Sequence, residues 1–450
     1  MKKIFYCFSI AFLLLGCNDG NKNDQTFTDE NGAIYSNDKK TLLSAPRHIT
    51  TFIIDEKTTS IADSAFFRCH NLEKVIIPNT VTSIGKSAFD KCFSLKEINL
   101  PNSITSIGQY AFNGCRTLPH ITIPTSVTDM GDNPFNGTNA SVSCLSPHFI
   151  FEDSILYSQD KQRLIACIDK DITSFSIPNS VTIIGDAAFE GCNTLHNILI
   201  PNSVTTIIGN PFRGINVSLT CQTPHFIFDN GILYSSDKKR LIACLRNDIT
   251  TFIVPSTVTN IGDGAFAWCS LMEKIMLPNS ILEIGESTFY GCQSLTSVHL
   301  PENLERIGTG AFYGCVKLTE IIFPNSLQEI GDNAFEGCHA LQAIELPHSI
   351  STIGDYTFWD CTSLKEISLP NSLKTLGTGA FFGCYSLTKI TIPKSTTQIG
   401  DEAFAGCESL AYINIPKSVR HIGNNAFIHC EKLSIDMSKK QRKKFNTIGV

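Results

Sequence analysis

The chain has 450 residues, with 36 basic against 42 acidic side chains and a formal net charge of −6. Both signs are spread along its length, and no stretch before Lys439 concentrates positive charge, which argues against a nucleic-acid partner. Hydrophobic residues make up 42%, and Phe contributes 30 residues against two Trp. That imbalance reports a repeated structural position, not a chemistry.

Residues 1–17 begin with Lys2 and Lys3, continue with an apolar run from Ile4 to Leu15 and end in Gly16-Cys17. This is the layout of an export signal, not of a spanning helix. Leu14-Leu15-Gly16-Cys17 resembles the bacterial lipobox. The resemblance implies that Cys17 becomes the lipid-modified N-terminus of an exported protein, anchored in the cell envelope at the outer membrane or cell surface. Each buried methylene of such a lipid contributes about 0.8 kcal/mol. An ordinary cleaved secretory signal is the alternative. Residues 18–26 are polar and aperiodic, as a flexible tether is.

Residues 27–45, FTDENGAIYSNDKKTLLSA, recur as FIFEDSILYSQDKQRLIAC at 149–167 and as FIFDNGILYSSDKKRLIAC at 226–244. Short apolar runs around a polar Ser-x-Asp-Lys turn predict three inserted β-hairpins. The last two copies are offset by 77 residues, as are Cys115 and Cys192, and Cys144 and Cys221, so a whole block is duplicated. The near identity of the inserts favours bracing over binding.

Between and after the inserts runs a 23-residue unit, P-x-x-(I/V/L)-x-x-I-G-x-x-x-F-x-x-C-x-x-L-x-x-I-x-L. From Phe266 to Phe427 and from Cys269 to Cys430 both residues recur at that step. A unit this short buries its apolar face only by stacking on its neighbours, which predicts a solenoid. In each unit one short strand alternates: Val298 and Leu300 point inward, Ser297 and His299 outward. Pro301 ends it, because proline offers no N–H to a ladder. A second extended piece, Leu304 to Gly308, closes the coil, its Gly expected to take a positive φ at the corner. Asn133-Pro134-Phe135 and Asn210-Pro211-Phe212 mark shortened coils that lack the Cys, and Ala62 replaces the corner Gly in the first coil.

These units resemble the BspA-like bacterial leucine-rich repeats. The resemblance covers roughly residues 30–435 and implies a β-rich solenoid over 27–435, a right-handed superhelix of 23-residue coils with little helix; the basic residues Lys439, Lys440, Arg442, Lys443 and Lys444 of 436–450 read as a solvated end cap, with contact to an anionic surface or partner as the alternative. Two departures stand out: there is no room for an outer helix, and Ser or Thr (Ser103, Ser280, Ser326) replaces the Asn ladder.

Sixteen cysteines follow Cys17, and twelve of them occupy the one repeat position. In-register side chains lie beside one another, so these thiols are expected to stay free. No C-x-x-C pair exists, so zinc is not expected, and neither is any cofactor. No G-x-S-x-G, H-E-x-x-H, phosphate loop or dinucleotide fingerprint occurs, so the chain reads as a non-enzyme. His299, Glu320 and Glu345 fall close enough along the strand face to form an acid/base or metal cluster, although a mixed polar face brings such groups together by chance.

The outward strand column carries a clearer feature. Leu199, Ile253, Met276 and Ile322 are apolar, with His299 among them and Lys274, Glu320 and Glu345 beside them. A contiguous outward apolar patch marks a partner surface. The reading is a monomeric, adhesin-like binding protein whose partner is a host extracellular or bacterial surface protein, with glycan as a second ligand class and the membrane touched only through the N-terminal lipid. A structural envelope protein without a soluble ligand and a carbohydrate-active enzyme are the alternatives.

Overall fold

The structure, a computed structural model, describes residues 26–246 and 248–439. The export signal, Cys17, nearly all of the tether and the basic residues from Lys440 onward lie outside the described residues. Every regular element of more than a single residue among those described is a short strand. The chain divides into two compact units, one of residues 1–195 with 201–211, the other of 196–200 with 212–450.

The coil of the second unit shows how the repeat folds. Lys274–Met276 pairs in parallel with Thr251–Ile253 on one side and Ser297–His299 on the other. Glu283–Ile284, Arg306–Ile307 and Glu329–Ile330 form a second parallel column. Between these columns the chain turns around its repeated Phe, and the amides still reach the next coil: Phe289 N–H donates to Ala311 O at 2.7 Å and Gly291 N–H to Tyr313 O at 2.7 Å. These coils are therefore hydrogen-bonded to their neighbours along both columns and around the Phe turn, which satisfies backbone groups that burial would otherwise penalise.

The interior is filled by the repeated apolar positions. Phe289, Phe312 and Phe335 are fully buried and stack at centroid separations of 5.1 and 5.2 Å. Beside them runs a column of buried thiols. Ser280 Oγ donates to Val258 O at 2.6 Å and Ser326 Oγ to Leu304 O at 2.7 Å, so the short hydroxyls do the capping that longer amides do elsewhere.

The corner glycines differ from expectation. Gly308 does not take a positive φ; a Cβ there would meet the Glu286 nitrogen and the Gly285 carbonyl carbon of the preceding coil at 2.8 Å, so close approach of two backbones excludes a side chain. The left-handed residues lie two before and two after the Phe, as at Ser287 (φ 55°) and Gly291 (φ 70°).

The first unit follows the same plan. Thr51–Ile53, Lys74–Ile76 and Glu97–Ile98 form one column; Thr41–Ser44, Ser60–Ile61, Ser83–Ile84, Ser106–Ile107 and Asp129–Met130 form the other. Phe66, Phe89 and Phe112 stack inside it. At its start Thr26–Thr28, Ile34–Ser36 and Thr41–Ser44 run antiparallel. Phe149–Glu152, Ile155–Ser158 and Arg163–Cys167 do the same, as do Phe226–Asp229, Ile232–Ser235 and Arg240–Cys244 in the second unit. The last strand of each trio pairs in parallel with the second column, Arg240–Cys244 with Asn260–Ile261 for example. The polar turn is held locally: Ser235 Oγ donates to Asp237 Oδ1 at 2.6 Å, Asp237 Oδ1 accepts from the Lys239 N–H at 3.0 Å, and Lys238 takes φ 54°.

Candidate interaction surface

Alternation along Thr251–Ile253 and Lys274–Met276 turns Ile275 into the core and leaves Ile253 and Met276 outside, 66% and 48% exposed. The register places Ile253 opposite Met276 and Met276 opposite His299, so three outward side chains stand side by side on adjacent strands about 4.8 Å apart. Lys274 pairs with Ser297 one step earlier along the same strands, and it is exposed beside them. The exposures show that the preceding hairpin does not cover this patch.

The remaining expected members are less tightly joined. Ile322 is 80% exposed, but the ladder lapses at residues 319–324, and Glu320 lies in that irregular stretch. Glu345 is exposed in Ala343–Glu345, where its register partner is Ser368. Leu199 is half-buried and pairs with Thr220, not with Ile253, so it stands apart from the patch. Pairing thus assembles Ile253, Met276 and His299 with Lys274 alongside; Ile322 and Glu320 follow where pairing has stopped. Among the described residues no three His, Cys, Asp or Glu side chains are grouped to hold a metal ion, and there is no helix long and apolar enough to cross a membrane.

A second apolar pair sits on the first unit. Ile53 and Ile76 are 67% and 43% exposed and opposite each other in register. The sequence reading overlooked Ile53, though Thr51-Phe52-Ile53 repeats as Thr251-Phe252-Ile253 and carries the same alternation.

The chain matches the BspA type leucine rich repeat region in six copies, over residues 43–155, 166–231, 243–362 and 329–446. No curated protein matches it in sequence. Among solved structures, a leucine-rich repeat protein from Bacteroides ovatus is 24% identical, with 96% of this chain and 99% of that one covered and a TM-score of 0.36. One from Eubacterium ventriosum is 21% identical over 90% and 93%, with a TM-score of 0.45. A leucine rich cell surface protein from Faecalibacterium prausnitzii is 23% identical over 97% and 98%, with a TM-score of 0.26. With the repeat matched over most of its length and its coils stacked as described, the chain belongs to the BspA-type leucine-rich repeat family.

Proposed function

We propose that this protein is an exported, lipid-anchored recognition protein that binds a protein at the cell surface through the outward strand residues of its second unit. The observation that carries this reading is the in-register row of Ile253, Met276 and His299, open to solvent beside Lys274, with two apolar side chains next to an imidazole. Apolar side chains gathered on adjoining strands are the surface feature that partner burial rewards, and a repeat face spreads such contacts without needing a deep pocket. Leucine-rich repeat proteins commonly serve as protein-binding scaffolds, and the signal-like residues 1–17 with Cys17 support export and anchoring. Adhesion to a host matrix protein, or to a surface protein of another bacterial cell, is the form this binding takes.

The test is a capture experiment with the chain from residue 18 onward as bait, offered host matrix proteins and envelope extracts in parallel. Retention of a defined protein by the parent chain, lost on Met276→Glu, supports the reading. Capture that is indifferent to Met276→Glu removes this face from the function.

A further inference from the structure

The first unit carries a row of cations that no single stretch of sequence displays. Arg47, Arg68, Lys91 and Arg116 occur one per coil, 21 to 25 residues apart. The fold brings Arg68, Lys91 and Arg116 onto two partly exposed rings. The Arg68 guanidinium lies 5.0 Å and Lys91 Nζ 5.5 Å from the centroid of Phe67. The Arg116 guanidinium lies 5.1 Å from the centroid of Phe93, whose ring also stacks on His70 at 4.8 Å. Burial, then Arg68, Arg47 and Lys91 in turn, push the His70 imidazole down to about 4. Carboxylates share this region: Asp90 lies beneath with Glu190 close to it; Asp90 accepts from Asn113 Nδ2 at 2.8 Å, and burial pushes it up to about 6.

We propose that this strip binds an extended anionic polysaccharide, with successive sulfate or uronate groups meeting the cations of successive coils. Successive coils each contribute a cation, although not from one column of the repeat, which suits a polymer bearing a charge at each step and not a single compact anion. The rings hold the cations in place: Arg68 and Lys91 pack on Phe67, and Arg116 packs on Phe93 with His70. Single-stranded nucleic acid is bound by stacking its bases on free aromatic faces, whereas cations and His70 already pack on these two rings. Charge, not stacking, is what the strip offers. This surface is separate from the apolar row of the second unit, and either function can fail without the other.

The experiment measures binding of the chain from residue 18 onward to heparin as a sulfated probe, with dextran as the uncharged control and oligothymidylate as a non-sulfated polyanion. Heparin binding that weakens steeply with added salt is expected, with none to dextran and weaker binding to oligothymidylate. The triple variant Arg68→Asn, Lys91→Asn, Arg116→Gln, with Asn chosen because positions 68 and 91 have φ of 60° and 61°, is expected to lose about tenfold or more in affinity. Lys317→Gln with Lys417→Gln, exposed on the second unit, is expected to bind as the parent does. If the triple variant does not fold, Arg116→Gln alone, on an exposed side chain, is expected to lose about threefold. Salt-insensitive binding, an unaltered affinity in these strip variants, or tighter binding to oligothymidylate overturns the proposal.

Discussion

The Cys315 thiol donates a hydrogen bond to the carbonyl oxygen of Phe289, 3.2 Å away in the preceding coil. That oxygen also accepts the N–H of Cys292 within its own coil, at 3.2 Å. The same relation recurs from Cys92 to Phe66 at 3.1 Å and from Cys430 to Phe404 at 3.0 Å. Cysteine suits the position because it is small and apolar enough to bury, yet keeps a weak donor for a carbonyl that has a lone pair to spare. Cys315→Ala therefore removes both a filled volume and a coil-to-coil bond. An equilibrium denaturation series is expected to show a loss of about 1–2 kcal/mol.

Thiol reactivity follows from the same burial. Cys292, Cys338 and Cys384 are fully buried, and burial raises each thiol well above its ordinary range, so little thiolate is present to react. Timed alkylation of the folded chain is expected to modify the half-buried Cys144 and Cys221 first, although burial pushes Cys221 up to about 11. In denaturant, without reductant, all 16 cysteines of the described residues are expected to react. A majority found already paired would contradict the free-thiol column.

Phe312 is held between Phe289 and Phe335 with rings nearly parallel, at 20° and 6°. Phe312→Ala is expected to cost about 3–5 kcal/mol, since neighbouring coils pinned by their own ladders cannot collapse into the space. Thermal unfolding reads this directly. A change within about 0.5 kcal/mol would mean that the ring is not part of the seam.

Asp355 carries a pH dependence of definite sign. Burial, reinforced by Asp332, raises its carboxyl to about 7, while its Oδ1 accepts the Thr378 N–H at 2.7 Å. The folded pKa lies above the unfolded one, so this group's contribution is fully present below about pH 4 and is lost as pH rises through about 7. Asp355→Asn keeps an acceptor for the amide without the charge. It is expected to be more stable than the parent at pH 8, by on the order of 1–2 kcal/mol, with the difference vanishing near pH 4. Melting temperatures across that range decide it.

The seam was readable because its demands are strict: one position takes Phe and another Cys, so the period survives every variation between. The glycine corner was recognisable as special, but its cause was not, since a missing Cβ serves a positive φ and a close backbone approach equally well. The left-handed positions escaped notice because Ser287, Trp268 and Gly291 all occupy them, so no residue type marks them. Alternation correctly separated Ile275 from Met276, yet could not show that pairing stops near Ile322 or that Leu199 faces Thr220, because register depends on the neighbouring coil. The cationic strip was hidden for a related reason: Arg68 and Lys91 lie two residues after their Phe but Arg116 lies four after, so no column of the repeat contains all three.

The most direct measurement is the affinity of a captured protein partner for the parent chain and for the Met276→Glu, Ile322→Glu double variant, with both confirmed folded by identical melting. A charge in a buried apolar contact leaves an unpaired ion at the interface, so a loss of at least tenfold is expected. Equal affinities would contradict recognition through this face.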